Sequence, residues 1–174
     1  MIEFMSFADL EQVVEIEQAS FPTPWSRQSF LHELMDNERA IYLVYKHMGR
    51  VWGYVGMWII LDEGHITNLA VHPVFRRRGV GNSLIRGLEE VARERGVRHL
   101  TLEVRKSNIP AQELYKKHGF VSMGIRRQYY LDNKEDAIIM WKGPIYAWLA
   151  MWFWRSRPPA MKQPLRCWPT GGGF

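Results

Sequence analysis

The stretch NLAVHPVFRRRGVGN, residues 68–82, brings together residue types that bind anions. An apolar, β-branched run at 66–71 predicts a strand that stops at Pro73, because proline has no N–H for a strand ladder. Three arginines, Arg76–Arg78, and the segment Gly79-Val80-Gly81 follow, before a helical pattern of apolar residues. Backbone N–H groups converge at such a junction, and the helix dipole adds positive potential. The stretch therefore predicts an anion site; the alternative is that the glycines only turn the chain and the arginines are solvated.

Two familiar phosphate-binding loops do not fit this stretch. A Walker A loop has Lys followed by Ser or Thr after its second glycine, where this chain has Asn82-Ser83. The dinucleotide-binding fingerprint has a third glycine where this chain has Leu84. The pattern that does fit is Gln/Arg-x-x-Gly-x-Gly/Ala, present as Arg76-x-x-Gly79-x-Gly81. This pattern resembles the pyrophosphate loop of the GNAT superfamily of N-acetyltransferases, which bind acetyl-coenzyme A.

A second group of candidate residues lies in a strand and helix at 99–119. The strand alternates, so that Glu103 faces away from the apolar row formed by its neighbours Leu102 and Val104. Taken alone, Glu103 is typical of a solvated strand position. Tyr115, on the helix that follows, is by itself typical of a core aromatic.

Three separated runs change that interpretation. They are ITNLAVxP at 66–73, LEVRxSNxxAxxLYxxxGF at 102–120 and RRxYYxDNxEDA at 126–137. Together they closely resemble the RimI-type ribosomal-protein-alanine N-acetyltransferases, a GNAT family that acetylates a protein N-terminus. The resemblance covers about residues 3–142, and a match in three separate segments is poorly explained by chance.

The resemblance implies roles for particular residues. Glu103 would be the general base and Tyr115 the general acid of a direct acetyl transfer. The strand backbone at Leu69, Ala70 and Val71 would hold the acetyl-pantetheine arm. The pyrophosphate would lie on the loop, with Asn108 also in contact with the cofactor; the loop residues are Arg77, Arg78, Gly79, Val80, Gly81 and Asn82.

The resemblance also implies an acceptor, the N-terminal alanine of the eighteenth protein of the small ribosomal subunit. Trp25, in a proline-stiffened loop, would lie near that peptide, and Tyr129 and Tyr130 would join it. Two alternatives stay open: a broad-range N-terminal or small-amine acetyltransferase, and a non-catalytic coenzyme A-binding module that regulates a partner. Retention of Glu103, Tyr115 and Asn108 argues against the module, because binding alone needs only the loop.

Other chemistries find no support in the sequence. The six histidines show no His-x-x-x-His or Cys-pair spacing, so no metal site is predicted. A serine-hydrolase elbow, Gly-x-Ser-x-Gly, is missing from the sequence. The single cysteine, Cys167, excludes an internal disulfide and favours a reducing, cytoplasmic location. Residues 1–10 hold two acidic residues and no basic one, so no signal peptide is expected.

Composition points to one globular domain. The chain has 174 residues, 47% of them apolar and 24% charged, which suits a soluble domain with a real core. The formal net charge is +5, but residues 143–174 hold four basic residues and no acidic one. The body at 1–142 is therefore close to neutral, and no nucleic-acid-binding face is expected on it.

Periodicity and cap signals predict the elements that position these residues. Helices are expected from a capping box at 6–9 to about residue 18, after Ser26, at about 79–95 and from Asn108 to Gly119. Strands are expected at 41–45, 51–61, 66–71, 99–104, 120–125 and 137–141. The step from 66–71 through a helix to 99–104 predicts a right-handed parallel crossover. The fold class is α/β (α+β): a GNAT fold, by resemblance, with a mixed, mostly antiparallel seven-stranded sheet flanked by helices.

Residues 143–174 lie outside the resemblance. They begin with an uncharged apolar run at 145–154 and then become rich in Pro, Arg and Gly. Ten residues cannot span a bilayer, which takes about 20, so no transmembrane segment is predicted. The run could pack on the body, anchor to a membrane surface or a partner, or form an ill-ordered extension. We therefore divide the chain into an acetyltransferase domain at 1–142 and an extension at 143–174. The extension could also mediate self-association.

Overall fold

A computed structural model describes residues 1–145 of the chain, and its core is one seven-stranded sheet. The strands are β1 (Ile2–Phe4), β2 (Ala40–His47), β3 (Arg50–Ile60), β4 (Glu63–Val71), β5 (His99–Arg105), β6 (Val121–Tyr130) and β7 (Glu135–Lys142). The helices are α1 (Leu10–Ser20), α2 (Arg27–Met35), α3 (Val80–Glu94) and α4 (Ile109–Lys117). The predicted architecture, a mixed, mostly antiparallel sheet flanked by helices, is confirmed.

The pair β4–β5 is the centre of the sheet and the origin of the candidate site. The strand order is β1-β2-β3-β4-β5-β7-β6, and among the six strand pairs in residues 1–145 only β4–β5 is parallel. Its pairing ends at Ile66 beside Leu102, although β4 continues to Val71 and β5 to Arg105. The two strands therefore separate beyond Ile66 and leave a gap.

A β-bulge lies at the point where the two strands separate. In the β3–β4 ladder Gly56 faces Asn68 and Met57 faces Ile66, so that Thr67 is an extra residue on β4. A bulge bends its strand and increases the local twist. The bulge at Thr67 thus contributes to the divergence of β4 from β5.

Helices pack on both faces of the sheet. One face carries α3 and α4, and the largest buried cluster includes Leu84, Ile85 and Leu88 of α3. These side chains are spaced for one helix face, and burial of each contributes about 1.5–3 kcal/mol. The other face carries α1 and α2. The buried cluster on this face includes Val13 and Ile16 of α1 and Tyr54 of the sheet. The gap between β4 and β5 lies between these two clusters.

Side-chain caps fix the helix starts that the sequence predicts. Ser26 Oγ accepts a hydrogen bond from the N–H of Ser29 (3.0 Å) at the start of α2. Asn108 Oδ1 accepts one from the N–H of Ala111 (3.2 Å) at the start of α4. The capping box at 6–9 is also present, but it opens a short 3-10 turn that leads into α1.

Two features of the sheet differ from the sequence-based expectation. The positional prediction covers six strands, and the seventh is β1, a three-residue edge strand with two exposed residues. So short a strand shows no alternation that a pattern can reveal. β6 extends to Tyr130 rather than to 125, because it continues to pair with β7 up to Glu135.

The last described residues lie against the body. Ile145 is buried at 8% exposure, and its N–H donates to the Arg98 carbonyl (2.9 Å). The expectations for the apolar run and the basic tail fall on 146–174, outside the described residues. No helix within 1–145 has the length and apolar character needed to cross a bilayer.

Candidate active site

The gap between β4 and β5 opens into a cleft of about 490 Å³. Four residues predicted for the site line it together: Leu69 of β4, Glu103 of β5, Asn108, which caps α4, and Tyr115 of α4. Further lining comes from the segment between α1 and α2 and from the β6–β7 connection, including Phe21, Pro22, Trp25, Tyr130 and Asp132. The cleft thus joins the two predicted catalytic residues to the proline-containing loop.

Glu103 is held in the cleft from both sides. Its side chain is only 6% exposed, and it extends from the β5 face opposite the α3 cluster, as the alternation predicts. Oε2 lies 3.1 Å from His65 Nε2 on β4, and Oε1 lies 3.1 Å from a terminal nitrogen of Arg126 on β6. Both oxygens of the carboxylate therefore have a fixed partner.

These partners decide the charge of Glu103. Burial raises the pKa of the Glu103 carboxyl, but the hydrogen bond from His65 and the charges of His65 and Arg126 outweigh it. The net result is a pKa below the usual range. Glu103 is therefore an anion at neutral pH.

Tyr115 lies on the α4 side of the cleft. Its ring packs edge-on against Phe120, with centroids 5.7 Å apart, and only 7% of the residue is exposed. Burial raises the pKa of Tyr115, and the neighbouring Tyr130 adds to the rise. The phenol therefore keeps its proton at neutral pH and is available as a donor.

The glycine-containing loop places a row of free amides at the start of α3. Gly79 is the N-cap residue with φ of 81°, in the left-handed region that glycine adopts without strain. Ser83 N–H bonds back to the Gly79 carbonyl (3.0 Å), but the amides of residues 77–82 find no acceptor among residues 1–145. A Cβ at Gly79 would meet no atom within 4 Å, so the space in front of this turn is open. Converging N–H groups in open space suit a pyrophosphate.

Two of the three arginines of the loop contact other parts of the chain. Arg76 donates from Nε to the Val71 carbonyl (3.0 Å) and from a terminal nitrogen to Ser20 Oγ (3.3 Å). The Arg78 guanidinium lies 5.9 Å from the ring centroid of Trp52. Arg76 therefore ties the loop to the body.

The remaining predicted cofactor residues contribute through the backbone or through a cap. Ala70 is buried at 4% in the α1–α2 cluster, and Leu69 and Val71 pack partly on the α3 cluster. From 67 to 71 no strand within residues 1–145 pairs with the β5-facing edge of β4. Asn108 lines the cleft while it caps α4, so it also positions the helix that carries Tyr115.

The sequence interpretation missed three residues that organise the site. His65 and Arg126 hold Glu103, and Glu17 of α1 lines the cleft at 2% exposure. The Glu17 carboxylate accepts hydrogen bonds from the Trp25 N–H (3.0 Å) and from the Tyr54 hydroxyl, while burial raises its pKa. Alternation places His65 and Glu103 on one face, but only the strand order shows that they are neighbours.

Comparison with known proteins agrees with this geometry. The model of the acetyltransferase (GNAT) family matches residues 10–120, more than half of the chain. This chain belongs to that family. Its members use acetyl-CoA, so the chain is an acetyl-CoA-dependent N-acetyltransferase.

Individual GNAT relatives cover nearly the whole body. A Bacillus subtilis (strain 168) protein, named provisionally as a [ribosomal protein bS18]-alanine N-acetyltransferase, is 49% identical over 137 residues, 79% of this chain and 91% of the relative. The Escherichia coli (strain K12) enzyme of that name is 37% identical over 141 residues, 80% and 94% of the two chains. The crystal structure of the E. coli ribosomal-protein-S18-alanine N-acetyltransferase superposes with a TM-score of 0.77 at 35% identity. The superposition covers 86% of this chain and 96% of the E. coli chain.

Loop variants test whether the backbone of this GNAT chain binds the cofactor. We expect Gly79→Val to weaken acetyl-CoA binding more than Arg77→Ala. A β-branched residue strains the left-handed turn and blocks approach to the amides, whereas one exposed arginine is one of several contacts. Gly81→Val should act in the same direction, because its Cβ would lie 3.1 Å from Leu114 Cδ2. Calorimetric titration with acetyl-CoA measures the order of affinities.

Gly96→Val is the matched control for backbone strain. Gly96 has φ of 78° and open space like Gly79, but it follows the other end of α3. Both variants should lose similar unfolding free energy, and only Gly79→Val should lose affinity. Wild-type affinity in both Gly79→Val and Gly81→Val would show that this loop does not bind the cofactor.

Proposed function

We propose that this chain transfers acetyl from acetyl-CoA to the N-terminal alanine of ribosomal protein bS18. The observation that carries the proposal is the shared cleft, in which Glu103 and Tyr115 lie between the unpaired edge of β4 and the loop of Trp25. The names of the relatives, similar over the whole body, supply the acceptor. Because the acceptor is a ribosomal protein, we place the reaction in the cytoplasm.

The residues of the chain suit a protein α-amine. Acetyl transfer needs a neutral amine and an acceptor for its proton. A protein α-amine has a pKa of about 8 and a lysine side chain about 10.4, so the α-amine needs about 3 kcal/mol less to lose its proton. We assign that proton to Glu103, directly or through water. Its anionic carboxylate also attracts the α-ammonium group into the cleft.

Tyr115 supplies the proton on the other side of the reaction. Acetyl-CoA brings the acetyl group as a thioester, already activated for transfer. The Tyr115 hydroxyl is protonated at neutral pH and lines the cleft, so it donates a proton to the departing sulfur. No covalent intermediate on the chain is required.

The backbone fits the cofactor. The amides of 77–82 hold the pyrophosphate, the unpaired edge of β4 at Leu69, Ala70 and Val71 holds the pantetheine arm, and Asn108 contacts the cofactor from α4. A backbone N–H near Val71 polarises the thioester carbonyl. Glu17 fixes the backbone of Trp25 and so shapes the acceptor side.

Peptide kinetics test the acceptor assignment. We expect the purified chain to acetylate a peptide with the bS18 N-terminus at its α-amine. The same peptide with a blocked N-terminus and internal lysines should give no turnover. Comparable rates on unrelated N-termini or on small amines would support the broad-range alternative, and binding of acetyl-CoA without turnover of any amine would support the regulatory module.

Two truncations test the proposed division into a 1–142 domain and an extension. Ending the chain after Ile145 or after Lys142 should keep peptide acetylation within a few-fold and should change solubility or self-association. Because Ile145 is buried, the shorter chain should lose about 2 kcal/mol of unfolding free energy relative to the longer one. Steady-state kinetics, sedimentation and chemical denaturation give these results. An inactive chain ending at Ile145 would show that the extension is part of the acetyltransferase domain.

A further inference from the structure

Glu103 has two partners with different chemistry. The side chain of Arg126 is 48% exposed and carries a permanent charge. The side chain of His65 is 31% exposed, and an imidazole can be either neutral or charged. His65 is not among the described residues that line the cleft, although its Nε2 lies 3.1 Å from Glu103 Oε2. His65 therefore contacts the proposed base without belonging to the lining of the cleft.

We propose that His65 is a positioning residue whose charge controls the strength of Glu103 as a base. The inference rests on the proposed role of Glu103. When His65 is neutral, its N–H orients the carboxylate without adding charge. When His65 is protonated, it forms an ion pair that stabilises the carboxylate and makes Glu103 a weaker base. Acetyl transfer then falls as His65 gains its proton.

The surroundings of His65 make this coupling specific to Glu103. His65 pairs across β4–β5 with Thr101, which is uncharged, and across β3–β4 with Trp58, whose indole N–H donates to Glu33 of α2 (2.5 Å). The titratable and charged groups on the elements around it include Glu103 and Arg105 of β5, Arg126 and Tyr129 of β6, Tyr54 of β3, Glu17 of α1, Glu33 of α2 and Glu63 of its own strand. Of these, Glu103 is the group within salt-bridge distance of His65 in the described chain.

A pH profile of His65→Gln separates charge from structure. Glutamine keeps an N–H donor for the carboxylate but never carries a charge. The ionisation of the acceptor amine is common to both proteins, so it cancels in the ratio of variant to wild-type kcat/KM. We expect this ratio to rise by up to about tenfold from pH 8 to pH 5.5, because a positive charge beside a carboxylate weakens it as a base and the rate follows base strength only in part.

The matched control is His32→Gln, since His32 is also paired with a carboxylate, Asp36 at 2.9 Å, but lies exposed on α2. The ratio of kcat/KM in His32→Gln to kcat/KM in the wild type should stay constant with pH. A constant ratio for His65→Gln would contradict the proposal, whatever the absolute rate of the variant, because a purely structural residue gives parallel profiles.

A second measurement needs no activity. Carbon-detected NMR of the Glu103 carboxyl should show its pKa rising in His65→Gln, because the hydrogen bond from His65 and its opposite charge both lower that pKa in the wild type. His32→Gln should leave it unchanged. An unchanged Glu103 pKa in a folded His65→Gln protein would overturn the coupling. A shifted pKa in a protein that acetylates no amine would overturn the proposed function instead.

Discussion

Glu103→Gln is expected to lower kcat at neutral pH by about 10²–10⁴-fold, the usual contribution of a positioned acid–base group. Glutamine has nearly the same shape and can still accept a hydrogen bond from Arg126, so the cleft should keep its form. It can no longer accept the proton of the acceptor amine. Affinity for acetyl-CoA should change little, because the expected cofactor contacts lie on β4 and the loop before α3.

Steady-state kinetics at saturating acetyl-CoA measure this loss, and calorimetry gives the cofactor affinity. Glu63→Gln is a suitable control, since Glu63 lies at the start of β4 before the strands separate. A Glu103→Gln protein that turned over peptide at the wild-type rate would show that Glu103 is not the base.

Tyr115→Phe is expected to have an effect of similar size, about 10²–10⁴-fold in kcat. Phenylalanine retains the packing against Phe120, so the variant should fold and bind acetyl-CoA nearly as the wild type does. Only the hydroxyl is lost. Since burial raises the pKa of Tyr115, the wild-type phenol should stay protonated through the neutral range and give no ionisation of its own there.

The control for this change is Tyr45→Phe, at a partly buried tyrosine that packs near Trp52, away from the cleft. It should leave kcat unchanged. In the double variant of Glu103 and Tyr115 the two losses should not multiply, because both groups act in one proton-transfer sequence. If the loss of kcat in the double variant equalled the product of the two single losses, the two groups would contribute independently. An unchanged kcat in Tyr115→Phe would show that Tyr115 is not the general acid.

Much of the site could be predicted because it depends on local patterns. The two glycines and the helix start at 80 are neighbours in sequence, so the free amides of the loop follow from the turn itself. Alternation along β5 is enough to place Glu103 on the face opposite the apolar row. The cap at Asn108 and Pro110 in the first turn likewise identify α4.

The partners of Glu103 could not be predicted in this way. Alternation states which face a side chain takes, but not which strand lies beside it. His65 reaches Glu103 only because β4 runs parallel to β5, and Arg126 reaches it only across β7, which separates β5 from β6 in space. The gap itself depends on where the β4–β5 pairing ends, near the bulge at Thr67. These are properties of register, and no single segment encodes them.

The central claim, acetylation of the bS18 N-terminus, is tested most directly by mass spectrometry of ribosomal proteins from a strain that lacks this gene. The N-terminal alanine of bS18 should be unmodified in that strain and acetylated again when the wild-type gene is restored. Restoration with a gene carrying both Glu103→Gln and Tyr115→Phe should leave it unmodified. A fully acetylated bS18 N-terminus in the deletion strain would contradict the account.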